Sequence, residues 1–266
     1  MTREEIDQVA AALDEAEHTR RQIGLLSIAH PGMTMDDAYA VQAAWVEKKK
    51  RNGRRVIGRK IGLTSKAMQQ ALNIDIPDSG ILFDDMLFEN GGTVPEGRFI
   101  QPRIEAEIAF VMSGDLKGPD VTVADVLTAT DHVAPSLEIL DTRILRVDPE
   151  TKKTRNVCDT IADNAANAGV VLGRHKLLPT EIDMRWMGAI VFRNGEVEET
   201  GLGAGVLNNP AGGIAWLANR LAQYGDWVRA GEIVLSGSFV RPVEARPGDK
   251  IIADFGPYGL VDCRFE

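Results

Sequence analysis

The sequence predicts an α+β protein. Helix signals crowd the first quarter of the chain, and strand signals fill the rest with one or two helices inserted. Strands and helices also fail to alternate in the regular way a parallel βαβ sheet requires. The first helix opens at Thr2, an N-cap with Glu5 as its reciprocal partner, followed by Ile6, Val9, Ala10 and Leu13 at helical spacing. A second opens at Thr34 with Asp37, ahead of Ala38, Val41 and Trp45, and the Pro31-Gly32 pair separates the two. The basic run 48–55 reads as the solvated end of this second helix, where cations complement the helix dipole.

From Val56 the texture changes. Residues 56–62 read as a strand with glycine interruptions, where backbone or ligand approaches closely. Residues 67–72 suit a short helix, and Pro77-Asp78-Ser79-Gly80 is turn chemistry. Residues 104–111 alternate strictly and read as a strand, 123–129 as a short helix, and 134–140 as a further strand. Residues 187–192, Asn194-Gly195 and Val197 form a hairpin pattern. Asn209-Pro210 caps a helix striped by Ile214, Leu217, Ala218 and Leu221. Strands over 233–235, 249–255 and 261–265 end the chain. The glycine clusters at Gly91-Gly92 and Gly201 to Gly205 lack a phosphate-loop pattern and read as loops. No repeat or linker divides the chain. Residues 1–266 therefore read as a single domain, with a helical part over 1–55 packed on a β-rich body over 56–266.

A net charge of −9 argues against nucleic-acid binding, which needs clustered cations to neutralise phosphates. It leaves room for acidic small molecules at a locally cationic site. Only two cysteines occur, Cys158 and Cys263, outside any CxxC pair, as expected of reduced thiols in a cytoplasmic protein. The charged N-terminal stretch does not resemble a signal peptide, and no apolar run suits a membrane span.

The chemistry centres on Arg103-Ile104-Glu105-Ala106-Glu107-Ile108-Ala109-Phe110. On a strand, Glu105 and Glu107 share one face, roughly 6–7 Å apart, and repel unless a cation or water screens them. An isolated Glu-x-Glu usually marks a solvated strand face. Here that face continues as Ala109 and Val111, and Glu138 sits in a second apolar strand, where an unpartnered carboxylate is costly. Three strand carboxylates without a histidine motif suit a hard cation: magnesium, manganese or calcium. Lys60, between Gly58-Arg59 and Ile61-Gly62, is either a surface lysine beside the basic run, which its local sequence favours, or an inward-facing partner of carboxylates. Ser236 and Ser238 flank Gly237, and their hydroxyls with the backbone amides could hold a carboxylate.

Taken together, several segments resemble the hydratase and decarboxylase branch of the fumarylacetoacetate hydrolase superfamily. They are Gly58-Arg59-Lys60-Ile61-Gly62-Leu63-Thr64-Ser65, the Glu105–Glu107 strand, Leu137-Glu138-Ile139, residues 159–169 and Val206-Leu207-Asn208-Asn209-Pro210-Ala211. The resemblance covers nearly the whole chain. It implies a β-rich barrel-like body with N-terminal helices, magnesium (manganese as alternative) on Glu105, Glu107 and Glu138, Lys60 as catalytic lysine and Asp78 as a further active-site acid. It also implies a homo-oligomer, with association to a downstream aldolase as a further option. The implied activity is metal-dependent hydration of a small 2-oxo or 2-hydroxy dienoic acid of aromatic catabolism. Residues 144–159 favour a seven-carbon diacid; the alternatives are 2-hydroxypenta-2,4-dienoate hydration and 2-oxo-3-hexenedioate decarboxylation. For a diacid, Arg59, Arg143 and Arg241 are the candidates to hold the far carboxylate. Ser79, His132 and Arg59 depart from the branch's usual residues at their positions.

Overall fold

A computed structural model describes residues 1–71, 74 and 76–266. The chain opens with helices α1 (Arg3–Thr19), α2 (Leu26–Ala29) and α3 (Met35–Arg51), followed by strand β1 (Val56–Gly62) and helix α4 (Lys66–Ala71). Strands β2 (Asp78–Phe83), β3 (Leu87–Phe88), β4 (Gly92–Val94) and β5 (Arg103–Met112) come next, then helix α5 (Val123–Ala129) and strand β6 (Thr130–Leu140). Helix α6 (Val157–Ala162) precedes β7 (Asn167–Leu172), β8 (Gly188–Arg193) and β9 (Glu196–Leu202). Helix α7 (Pro210–Ala222) and strands β10 (Ile233–Leu235), β11 (Val243–Glu244), β12 (Lys250–Asp254) and β13 (Leu260–Phe265) complete the chain.

The predicted α+β class holds. One sheet runs β2-β1-β10-β5-β6-β7-β3 with β11 also on β5, and a second runs β4-β13-β12-β8-β9. Ile104, Ala106, Ile108 and Phe110 on one face of β5 meet Val191, Ile251, Ala253 and Val261 of the second sheet, with Ile214 and Leu217 of α7. The other face of the large sheet packs against the helices: Val9, Leu13, Val41 and Trp45 meet Ala109, Val170, Leu235 and Phe83. Trp45 and Phe83 make an edge-on contact with ring centroids 5.8 Å apart. Each face of β5 thus has its own apolar layer, and the carboxylate face lies under the helices.

Local signals held well. The capping boxes Thr2–Glu5 and Thr34–Asp37 both form, and Asn209 accepts from the Ala211 amide with Pro210 in the first helical turn. Each such cap contributes about 1 kcal/mol. In the 188–202 hairpin, Asn194 and Gly195 have φ of 55° and 89°, as a type I′ turn requires.

Three expectations need correction. Residues 77–80 are not a turn: Asp78, Ser79 and Gly80 start β2 and pair antiparallel with Gly62, Ile61 and Lys60. The turn residues were compatible with a strand because their partner strand supplies the hydrogen bonds. The end of α3 is not wholly solvated, because Lys49 is buried against Asp14 and Glu17. Gly92 and Gly201 lie in β4 and β9, not in loops. The expected helix over 67–72 is α4, with Leu72 outside the described residues.

Candidate active site

Strand register carries the acids to one place. Glu105 and Glu138 are directly opposed across β5 and β6, and Glu107 faces Ser136 one step along. Opposed residues project from the same face, so the three carboxylates share it. Ligand atoms of Glu105, Glu107 and Glu138 all lie within 4.8 Å of one another. Strand β10, which joins β5 to β1, places Lys60 opposite Leu235, itself opposite Ala109, on that same face. Asp78 joins them through its pairing with Gly62.

Lys60 is buried, at 3% exposure, which settles the two readings of its sequence in favour of the inward one. Its Nζ lies 3.5 Å from Glu138 Oε1. Gly62 lets Asp78 and Lys60 come together: a Cβ there would fall 2.3 Å from Asp78 Oδ1 and 2.8 Å from Lys60 Nζ. Gly237 approaches from the other side. Its amide donates to Glu107 Oε2 at 2.9 Å, and with φ of +109° it packs where a Cβ would strike the Thr64 hydroxyl. From above, α3 brings Tyr39 near Asp78, and Gln42 donates to the carbonyls of Ser79 and Ile161.

The electrostatics follow from crowding four acids around one lysine. Burial, then the Glu138 charge, pushes Glu105 up to about 8, and the same causes raise Glu107 well above the ordinary carboxylate range. Burial raises Glu138 and Asp78 against the pull of Lys60. Burial opposes the charge of Lys60 as well, but Glu138, Asp78, Glu105 and Glu107 outweigh it and leave the lysine raised, a firm ammonium. Burial and the nearby Asp78 push Tyr39 up to about 12. A divalent cation fits this set: Glu107 Oε1 and both Glu138 oxygens lack a hydrogen-bond partner among the described residues, and all the donors are hard oxygens. Such a cation would reverse the acids' preference for the neutral form.

The serines divide. Ser236 is fully buried, and its hydroxyl lacks a partner among the described residues. The Ser238 hydroxyl is engaged in its own turn, donating to the Val240 carbonyl at 2.8 Å, and the amide aimed at a carboxylate is that of Gly237. All three arginines considered for a far carboxylate are committed elsewhere. Arg59 pairs with Asp226 and Glu232, buried Arg143 with Asp163, and exposed Arg241 with Glu199. Sequence reading missed the loop after α6, where Asn164, Ala165 and Ala166 have φ of 54°, 52° and 59°. There the Asn164 side chain brackets Ile81 of β2, accepting from its amide and donating to its carbonyl. An asparagine beside two alanines carries no turn signal strong enough to announce it.

Fold and site together define a class: an α+β protein that gathers three carboxylates, oxygen donors suited to a hard cation, beside a buried lysine on one sheet face. The chain belongs to the hydratase and decarboxylase branch of the fumarylacetoacetate hydrolase superfamily. It is 54% identical over 257 residues to the 2-oxo-hept-4-ene-1,7-dioate hydratase of Escherichia coli, covering 97% of this chain and 96% of that one. It is 40% identical over 266 residues to the 2-keto-4-pentenoate hydratase of Paraburkholderia xenovorans, covering 100% and 97%. The solved structure of 4-oxalocrotonate decarboxylase from Pseudomonas putida G7, complexed with magnesium and adipate, superimposes with a TM-score of 0.94 at 34% identity, covering 100% and 99%. No protein-family model matches the chain.

Proposed function

We propose that this protein is a divalent-metal-dependent hydratase that adds water to 2-oxohept-4-ene-1,7-dioate, formed from its 2-hydroxydienoate tautomer, to give 4-hydroxy-2-oxoheptanedioate in aromatic catabolism. The observation that carries the reading is the buried Lys60 ammonium set among Asp78 and the three carboxylates. The 54% identity to the Escherichia coli hydratase supports the particular substrate. Glu105, Glu107 and Glu138 hold the metal, with magnesium first and manganese as the alternative. Bound there, the metal supplies Lewis acidity toward the substrate's C1 carboxylate and C2 oxygen.

The chain's own groups handle protons. Lys60 presents a fixed ammonium that balances the excess negative charge of the acids and of an incoming carboxylate. Asp78, whose buried carboxyl is raised from its ordinary value, takes and returns a proton as the double bonds shift, with Lys60 as its partner. That shift moves the double bond from C4–C5 to C3–C4, where the C2 ketone activates it, and water then adds its hydroxyl at C4 while C3 takes up a proton. Ser236 and Ser238 remain candidates for holding carboxylate or water, and the free hydroxyl of Ser236 fits that role better.

We read residues 1–266 as one catalytic unit, because α3 supplies Tyr39 and Gln42 over the acids. No helix among the described residues is long and apolar enough to cross a membrane. A cytoplasmic homo-oligomer, with association to a downstream aldolase as an option, completes the proposal. The deciding assay follows diene absorbance with EDTA-stripped protein, with and without added magnesium. The substrates are 2-hydroxyhepta-2,4-diene-1,7-dioate and 2-hydroxypenta-2,4-dienoate. Metal-dependent loss of absorbance with a hydroxy-oxo acid as product supports the hydratase. Silence on both, with carbon dioxide released from 2-oxo-3-hexenedioate, would replace it with a decarboxylase.

A further inference from the structure

With Arg59, Arg143 and Arg241 committed elsewhere, a diacid substrate still needs a cation for its far carboxylate, since an unpaired buried charge is costly. Three other arginines meet at one end of the carboxylate face. Arg103 stands two residues before Glu105 on β5, so its side chain leaves from the same face as Glu105 and Glu107. That spacing is roughly 6.6 Å along the strand, comparable with the span between the terminal carboxyls of a seven-carbon chain.

Arg146 and Arg155 come from the loop after β6. The Arg155 amide donates to the Arg146 carbonyl at 3.0 Å, and the Val147–Thr154 bridge closes the loop behind them. Both side chains lean back toward the base of β5. Arg146 Nη2 donates to the carbonyl of Gln101, two residues before Arg103, at 3.3 Å. Arg155 Nη1 donates to Thr142 Oγ1 at 2.9 Å, and Thr142 lies two residues beyond Leu140, the cross-strand partner of Arg103.

We propose that Arg103, Arg146 and Arg155 form the receptor for the far carboxylate of a dicarboxylic 2-oxo acid whose other end is held at Glu105, Glu107 and Glu138. The proposal rests on the functional reading above for the metal end alone. All three arginines are half-buried. Arg103 shares an exposed pair with Glu244, whereas the side-chain hydrogen bonds of Arg146 and Arg155 go to neutral oxygens. Burial, then the charges of Arg155 and Arg103, lower Arg146 to about 10 against the opposing charges of Asp141 and Glu244, so the guanidiniums lie close enough to repel one another. The charge of Arg155 also reaches Asp78, which ties the cluster to the centre of the site. A carboxylate seated among the guanidiniums would relieve their repulsion and accept forked hydrogen bonds.

The test is calorimetric binding of 2-oxoheptanedioate and 2-oxoheptanoate to the magnesium-loaded full chain. These saturated acids do not turn over, and they differ at the far end alone. The wild-type protein should prefer the diacid by about tenfold or more, the value of a charge-assisted hydrogen bond. Arg146→Gln and Arg155→Gln should each shrink that ratio by about tenfold, and Arg155→Lys should fall between, keeping charge without the fork. Arg146→Gln gives up a single bond to a carbonyl, so it reports on the cluster even if the Arg155 variants unfold. An unchanged ratio in Arg146→Gln, or no diacid preference in the wild type, would overturn the proposal. A cluster-dependent preference in a protein that hydrates neither dienoate would keep the receptor and remove the hydratase reading.

Discussion

Gly62 offers a direct test of whether the closeness of Asp78 and Lys60 matters to the chemistry. In Gly62→Ala the new Cβ would lie 2.3 Å from Asp78 Oδ1, 3.3 Å from Asp78 Cγ and 2.8 Å from Lys60 Nζ. An ordinary carbon–oxygen contact is about 3.3 Å or more, so the Asp78 carboxyl must retreat by about 1 Å. Lys60 can give way, being the far end of a flexible chain. Asp78 cannot do so cheaply, since its side chain is short and 1% exposed. Overpacking of this kind costs about 1–3 kcal/mol of stability. A displacement of about 1 Å in a reacting group lowers the rate about a hundredfold. The three atoms nearest the new Cβ belong to Asp78 and Lys60 and not to a glutamate, so the loss should appear in kcat, with magnesium affinity changed by less than about threefold. Stopped-flow loss of diene absorbance gives the rate, calorimetry the metal affinity and circular dichroism the fold. A folded variant with kcat near the wild-type value would refute the idea that Asp78 must sit where it does. Equal losses of kcat and metal affinity would show that the two groups of acids move together.

Further outcomes follow from the same geometry. Glu107→Gln should abolish metal-dependent turnover with its circular dichroism unchanged; full activity would remove Glu107 from the metal. Lys60→Ala should bind metal and substrate yet lose about 10²–10⁴ in rate, read in single-turnover experiments, and a near-normal rate would make the lysine structural. Burial pushes Cys263 up to about 12 and raises Cys158, so at pH 8 both stay protonated. Native protein should accordingly react slowly with a thiol reagent and label both cysteines only after denaturation, whereas fast native labelling would show the thiols to be open. Asn209→Ala should cost about 1 kcal/mol in urea unfolding by removing the cap of α7; no change would mean another group takes over the Ala211 amide.

The sequence was most legible where its signals are local. Caps such as Thr34–Asp37 and Asn209–Pro210 lie within one helical turn of their effect, and alternation along 104–111 placed Glu105 and Glu107 on a common face. The apolar continuation through Ala109 correctly argued that this face is not open water, since Ala109 is fully buried. Lys60 was harder. Its burial depends on β10, some 170 residues further on, and on β2, whose first residues look like a turn. Asp78 was nameable through resemblance alone, because nothing in Pro77-Asp78-Ser79-Gly80 tells of its pairing with Gly62. The arginines show the same limit. Arg59 alternates with Lys60 along β1 and so leaves from the opposite face, a consequence of strand period that becomes decisive once Lys60 is known to point inward.

The position of β10 has a consequence for how the molecule comes into being on the ribosome. In the order β2-β1-β10-β5-β6, the three residues Ile233–Leu235 bridge two earlier hairpin-like pairs. One pair, β1 with β2, carries Lys60 and Asp78; the other, β5 with β6, carries the three glutamates. Until Ile233 emerges, no strand ladder among the described residues joins the two pairs, and what links them is the side chains of Asn164 and Asn167 on Ile81 of β2. Joining them means closing loops of well over a hundred residues, which makes this a late and slow event in folding. A polypeptide halted short of that strand therefore has every residue of the lysine–carboxylate cluster and lacks the ladder that sets the two pairs in register.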